Sequence, residues 1–285
     1  MIPPLASYCL SRSPVKRMIQ QAGHNRTVDH LFQKLSGAGR IFQTIAEARE
    51  SVRRHRPETL GHLDEKLIAA NYSFYSNIQM SDYPVLLWLF TILRSEKIDL
   101  FDFGGGVGQT FVSFSRYLPE DGLVGWTVHD LPSVVSLADE IFSTKGFPQR
   151  LKFTSGMASA SSCNVVLAAG SFHFWEKPIA DFFKAMGTKP AHFIINRSPM
   201  QAHGRSFFTV QEGVDWAVPC QVRSLDEVEA EMQAEGYTLV ESWIDPEKSL
   251  ILPFFPDYSC PYRGLYFYRD PDDDENDLVQ RTFRD

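Results

Sequence analysis

The sequence predicts an α/β protein: an open, mostly parallel sheet with helices on both faces, preceded by a helical segment. Three observations predict it. From Ile98 onward, short apolar runs of strand length alternate with stretches of helical periodicity, the pattern of parallel strands joined by crossover helices. A glycine-rich turn, Gly104 to Gly108, stands between the first apolar run and the helical stretch after it. The chain has 285 residues and is 44% hydrophobic, enough for one large domain whose core needs no covalent or metal staple.

Residues 1–95 read as a helical segment. Thr44 to Arg54 and His62 to Ala70 have amphipathic spacing, and Pro84 opens a third helix over Val85 to Leu93, since proline suits a first helical turn. The main domain runs over 96–269. Its strands are predicted at Ile98–Phe103, Gly125–His129, Leu151–Phe153, Asn164–Ala169 and His192–Asn196. Helices are expected at Gln109–Tyr117, Val134–Phe142, Ile179–Met186 and Ser224–Glu235, the last stopped by Gly236. Two more strands, Tyr237–Trp243 and Gly264–Tyr268, follow. Residues 270–285, DPDDDENDLVQRTFRD, form an acidic, polar tail with too little apolar surface to bury.

A net charge of −7 gives no field to hold a phosphate backbone, so no nucleic-acid partner is expected. The longest strongly apolar run, Tyr83 to Leu93, is too short to span a bilayer, and MIPPLASYCLSRSPVKR lacks the apolar centre of a signal peptide. Cys9, Cys163, Cys220 and Cys260 form no CxxC pair and have no histidine cluster beside them, so no metal site is expected and reduced thiols in a cytoplasmic protein fit best. The expected partner is a small molecule.

The chemistry concentrates at predicted strand ends, where open α/β sheets bind ligands. Leu100-Phe-Asp-Phe-Gly-Gly-Gly-Val-Gly-Gln109 places Asp102, Gly104, Gly106 and Gly108 at alternate positions after a strand and before a helix. Glycines allow a tight turn and close approach of a ligand to the backbone, and the helix start offers free N–H groups. The spacing is neither that of a dinucleotide loop, whose last glycine would fall on Gln109 or Phe111, nor that of a Walker loop, which needs GK[ST]. A turn that binds nothing is the alternative. In Val128-His-Asp-Leu-Pro-Ser-Val-Val135, Asp130 offers two carboxylate oxygens to a vicinal diol, or else caps the helix near Pro132.

The acidic-x-Gly-x-Gly-x-Gly loop resembles the first motif of class I methyltransferases, and the DLPSVV stretch resembles a segment of small-molecule O-methyltransferases. With VVLAAGSFHF, FIINRSP, GYTLVESW and YRGLYF, the chain from Ile98 to Arg269 resembles a bacterial methyltransferase family that includes the azetidine-2-carboxylate synthases. The resemblance implies a Rossmann-like class I methyltransferase sheet with the N-terminal helices as a lid, and S-adenosylmethionine as cofactor or as substrate. It implies cofactor contacts from Asp102, Gly104, Gly105, Gly106 and Gly108 of the loop. Asp130 and Leu131 would meet the ribose, Met157 the adenine, and Gly170 and Phe172 the rim of the fourth strand. Ser171, His173 and Asn196 stand at strand ends, and Tyr75 in the lid, as candidates for the reaction. His173 is a candidate base or an orienting, packing group. Tyr72, Phe74, Tyr75, Phe172 and Phe174 could form a cage for a sulfonium, or could be ordinary core. Arg197 and Arg205 could grip a carboxylate, or form ion pairs.

Three activities fit these readings. The first is methyl transfer to a small acceptor in specialised metabolism. The second is cyclisation of S-adenosylmethionine to azetidine-2-carboxylate with release of methylthioadenosine. The third is cofactor binding without catalysis.

Overall fold

The computed structural model describes residues 40–55, 72, 75–119, 121–145, 148–212, 216–250, 252, 255, 258 and 260–271. The predicted helix over His62–Ala70, Phe74 and most of the acidic tail lie outside them. In chain order the elements are α1 (Ile45–His55), α2 (Asp82–Ile92), β1 (Ile98–Phe103), α3 (Gln109–Phe114), β2 (Leu123–His129), α4 (Pro132–Lys145), β3 (Leu151–Thr154), β4 (Val165–Ala169), α5 (Ile179–Met186), β5 (His192–Gln201), β6 (Phe207–Glu212), β7 (Ala217–Ser224), α6 (Leu225–Ala234), β8 (Thr238–Leu250) and β9 (Cys260–Tyr268).

Strands β3, β2, β1, β4 and β5 lie side by side in that order, all parallel. β9 then runs antiparallel to β5, and β8 antiparallel to β9. The direction of winding reverses between β1 and β4, so the loops after β1 and β4 diverge and leave a crevice at that edge. An open sheet of this order, with helices on both faces and an antiparallel closing pair, is the Rossmann-like class I methyltransferase architecture.

The central strands are apolar without a break because both faces are covered. On one face Leu100, Val165, Leu167 and Ile194 pack with Val85, Leu86 and Leu89 of α2, Phe111 and Phe114 of α3, and Trp126 of β2. On the other Phe101, Val166, Ala168, Phe193 and Ile195 pack with Ile179, Phe182, Phe183 and Met186 of α5 and with Val228 and Met232 of α6. Alternate residues of β1, β4 and β5 thus enter opposite cores, as the period of two requires. Helix α2 supplies four buried side chains, Val85, Leu86, Leu89 and Ile92, to the first core, so this part of the N-terminal segment is a layer of the sheet.

One unit has no counterpart in the sequence reading. β5 continues past Asn196 to Gln201 and pairs there with β7, which forms an antiparallel hairpin with β6. Pro219 within β7 and the mixed polarity of FFTVQE hide this hairpin from a pattern search. Helix α1 packs on it, with Ala48 against Val210 and Ala217, and Phe42 bridges to Phe208. Phe207 and Val222 also pack against Leu250, Leu252 and Cys260, at the far ends of β8 and β9. The hairpin, α1 and the outer β8–β9 ends therefore stand on the side of the sheet where β1 to β5 terminate.

Candidate functional site

The loops after β1, β2, β4 and β5 are tied together by short contacts. After β1 the chain turns through Gly104, Gly106 and Gly108 with φ of 66°, 61° and 82°, a left-handed region that glycine enters without strain. Gly104 N–H donates to the His129 carbonyl at 2.7 Å, fixing the loop to the end of β2. A Cβ on Gly105 would lie 2.5 Å from the Asp102 carboxyl carbon, and a Cβ on Gly104 would collide with Ser171. The predicted loop residues therefore come together, and each glycine there has a steric reason.

Asp130 closes the first tie. Its Oδ2 accepts the Gly106 N–H at 2.8 Å and its Oδ1 the Leu131 N–H at 2.7 Å. Burial raises its pKa, and these two donors oppose the rise. Among the described residues it bonds no N–H inside α4, so it is a strut between β2 and the glycine loop and not a helix cap. Leu131 beside it is exposed.

Asp102 lies beneath the loop with no solvent exposure. Oδ2 accepts the Trp126 indole N–H at 3.1 Å, and Oδ1 has no hydrogen-bond partner among the described residues. Burial pushes its carboxyl up to about 7, opposed by the Trp126 bond and the charge of Arg197. His129 stacks on Phe103 at 5.4 Å, and burial lowers its pKa, against hydrogen bonds to the backbone that raise it.

At the end of β4, Gly170 adopts φ 82° and its N–H donates to the Asn196 carbonyl at 2.8 Å. Ser171 is buried and its hydroxyl donates to the Phe103 carbonyl, joining β4 to β1. Phe172 departs from the expected cage. Its ring has no exposure and packs on Phe182 and Phe193 in the second core, with the Arg223 guanidinium 5.3 Å from its centre. The short helical turn at Phe172–Phe174 rolls this ring inward. His173 is buried too, its ring tilted against Phe174 at 4.1 Å with Tyr262 edge-on at 6.4 Å, a packing position. Met157, half-buried after β3, packs against the second core.

Asn196 and Tyr75 belong to a polar cluster midway along β5, just past its last pairing with β4. Asn196 donates from its amide nitrogen to Asp82 at 3.0 Å, and its amide oxygen accepts the Trp243 N–H at 3.2 Å. With both ends engaged and no exposure, Asn196 is a strut and not a group that meets substrate. Arg197 pairs with the same Asp82 oxygen and lies 4.9 Å from the centre of the Tyr75 ring. Lys248 donates to the Tyr75 hydroxyl at 2.8 Å. Arg205 is exposed, and its carbonyl accepts from Gln201.

Sequence reasoning missed Asp82, Lys248, Trp243 and Arg223. Asp82 opens a largely apolar helix and Arg197 follows the apolar run Phe193–Ile195 by two residues, and a charge buried in such a setting needs a partner. Nothing local names that partner across the sequence gap between them. Arg223 donates to the carbonyls of Trp175 and Lys177 and to Glu231, bracing the loop after β4 from below. A surface cleft of about 520 Å³, lined by Lys184, Lys189, Glu235 and Arg269 among others, lies at the opposite ends of the strands.

No family model matches the chain, and no curated protein matches it. Among solved structures it is similar to the 1,6-didemethyltoxoflavin-N1-methyltransferase of Burkholderia thailandensis, with 17% identity, a TM-score of 0.44, and coverage of 71% of this chain and 85% of that one. It is similar to the magnesium protoporphyrin IX methyltransferase of Synechocystis PCC 6803, with 13% identity, a TM-score of 0.40, and coverage of 91% and 99%. LepI, solved with S-adenosylmethionine, gives 11% identity, a TM-score of 0.47, and coverage of 90% and 70%. None of these three reaches a TM-score of 0.5, so the functional reading rests on the loops themselves. Among the described residues no helix is long and apolar enough to cross a membrane.

Proposed function

We propose that the chain binds S-adenosylmethionine across the ends of β1, β2 and β4 and transfers its methyl group to a small-molecule acceptor. The observation that carries this reading is the junction of Asp130 with the glycine loop: a carboxylate from β2 bonded to the N–H of Gly106, on a loop held open by left-handed glycines. Each Asp130 oxygen keeps a lone pair for a ribose hydroxyl. Gly104, Gly105, Gly106 and Gly108 present backbone without side chains to the amino-acid end of the ligand, and Leu131 offers exposed apolar surface beside the nucleoside. Met157, at the exit of β3, would offer its part-exposed side to the base. Asp102 holds a buried unpaired oxygen under the loop, a group that a cationic or N–H-bearing ligand would satisfy.

When bound, S-adenosylmethionine supplies an electrophilic methyl group on a sulfonium. The chain's contribution is position and dryness. Ser171 fastens the β4 loop to β1, Asp130 fastens the glycine loop to β2, and the hairpin with α1 walls the same side of the sheet. A fixed geometry in a water-poor site lowers the barrier to displacement at carbon.

The test is product analysis. Pure protein is incubated with S-adenosylmethionine, alone and with a panel of small hydroxyl and amine acceptors, and the nucleosides are identified by mass spectrometry. S-adenosylhomocysteine formed only when an acceptor is present supports methyl transfer. Methylthioadenosine with azetidine-2-carboxylate, formed without acceptor, would replace that reaction by cyclisation. Absence of S-adenosylmethionine binding by calorimetry would overturn both.

A further inference from the structure

Both neighbours of β9 break their pairing with it at nearly the same place. β5 sets Asn196 and Arg197 opposite Gly264 alone, because Ile195 pairs with Leu265 and Ser198 with Arg263. β8 sets Asp245, Pro246, Glu247 and Lys248 opposite Tyr262 alone, because Ile244 pairs with Arg263 and Ser249 with Pro261. A bulge re-aims the side chains it carries, and bulges gather beside active sites. The β5 bulge contains Arg197, at φ 53° the one left-handed non-glycine residue among those described, a backbone that persists only where its surroundings hold it.

The two bulges meet across β9. Trp243, just before the β8 bulge, reaches over Gly264, where a Cβ would lie 1.9 Å from its ring, and donates to the Asn196 amide oxygen at 3.2 Å. The Asn196 carbonyl accepts the Gly170 N–H at 2.8 Å, so the junction borders the β4 loop and with it the proposed cofactor site.

Two side chains of the junction have bonding capacity left over. Asp245 is 4% exposed; its Oδ1 accepts the Glu247 N–H at 2.9 Å, and Oδ2 has no hydrogen bond among the described residues. The Tyr262 hydroxyl accepts the Gln211 amide N–H at 2.8 Å, and its own proton has no acceptor among them. The two groups are neighbours, since the β8 bulge faces Tyr262. Burial raises the Tyr262 pKa, and the charge of Asp245 is a smaller cause in the same direction.

A carboxylate oxygen takes a hydrogen and a phenol gives one, so the group that completes the pair is donor and acceptor at once. A hydroxyl meets this and keeps a lone pair: its proton goes to Asp245, one lone pair accepts from Tyr262, and the other is free to attack carbon. A neutral amine has a single lone pair, which cannot both accept from Tyr262 and attack, and an ammonium has none. We infer that the junction receives the methyl acceptor, that this acceptor is a hydroxyl compound, and that Asp245 is its general base with Tyr262 as the orienting donor. This rests on the methyl-transfer reading above and deepens it. In the step, the acceptor oxygen bonds to the methyl carbon and the carbon–sulfur bond breaks, its electron pair going to sulfur. The hydroxyl proton passes to Asp245 Oδ2 and from there to water.

Crystals grown with S-adenosylhomocysteine and soaked with phenol, or separately with aniline, test the pair without knowledge of the natural acceptor. Phenol should bind with its oxygen within hydrogen-bond distance of both Asp245 and Tyr262, and aniline should not. Asp245→Asn and Tyr262→Phe should each lose the phenol, while calorimetry shows S-adenosylmethionine bound as in wild type. In the acceptor panel, hydroxyl compounds should turn over and amines of the same skeleton should not, and Asp245→Asn should lower kcat about a hundredfold or more. Phenol absent from the junction, aniline held equally well, or turnover with amines alone overturns the inference and leaves the cofactor reading standing. Phenol retained by both variants marks binding at crystal concentration only and overturns it too. Wild-type protein that binds no S-adenosylmethionine overturns both readings.

Discussion

Asp102 carries the most perturbed carboxyl among the loop residues, and its effect on stability has a definite sign. The folded-state pKa, about 7, lies above that of the unfolded chain because burial disfavours the charged form. The folded protein therefore keeps a proton that the unfolded chain releases between about pH 4 and 7. The associated stability is fully present below about pH 4 and declines as pH rises to 7, by at most about 1.4 kcal/mol per pH unit. Asp102→Asn mimics the neutral acid, so urea unfolding between pH 5 and 8 should show a flatter stability profile than wild type. Matching slopes would mean that other groups set the profile. Asp130 gives a complementary test, because among the described residues its carboxylate bonds only the N–H groups of Gly106 and Leu131. Asp130→Ala should weaken S-adenosylmethionine binding by about 1.5–3 kcal/mol, one to two decades in Kd. A variant that binds normally but melts earlier would confine Asp130 to holding the loop.

Elements differ in how much of themselves they show in sequence. β1 and α5 have the boundaries that their patterns predict, Ile98–Phe103 and Ile179–Met186, because an apolar run and a helical period are local properties. The glycine loop is legible for the same reason: its turn, its close approach to Asp102 and the helix after it are all encoded within ten residues. The β6–β7 hairpin is not, since Pro219 breaks the strand signal and the hairpin packs against the distant α1 and the end of β8. The inward roll of Phe172 is likewise set by Phe182, Phe193 and Arg223, none of them a neighbour in sequence. Helix α2 is apolar on nearly every side, yet Leu89 is buried while Leu87 is 59% exposed. Leu89→Ala should cost about 2–5 kcal/mol by opening a cavity in the first core, whereas Leu87→Ala should change stability by less than about 0.5 kcal/mol. Chemical denaturation of the two variants checks this, and equal losses would mean that the outer face of α2 is covered in solution.

At the scale of the molecule, the two cores are not independent. They share β1, β4 and β5, whose alternate residues enter one face and then the other, as Leu100 and Phe101 do. Losing either helix layer exposes the opposite side of the same strands, so the sheet should unfold in one transition. The candidate site has the same dependence, because the Gly106–Asp130, Ser171–Phe103 and Gly170–Asn196 ties join loops from four strands and none survives if the strands part. A ligand held by those loops binds the folded state alone and must stabilise the whole sheet. At a free concentration one hundred times Kd the gain is about 2.7 kcal/mol. For a domain of this size each kcal/mol moves Tm by about 2–4 °C, so S-adenosylmethionine should raise Tm by roughly 5–10 °C. Scanning calorimetry with and without ligand measures both quantities at once. The expected trace is a single peak that moves upward intact. A peak that splits, with only one part shifted by ligand, would show that the site is carried by a piece of the chain that folds apart from the rest.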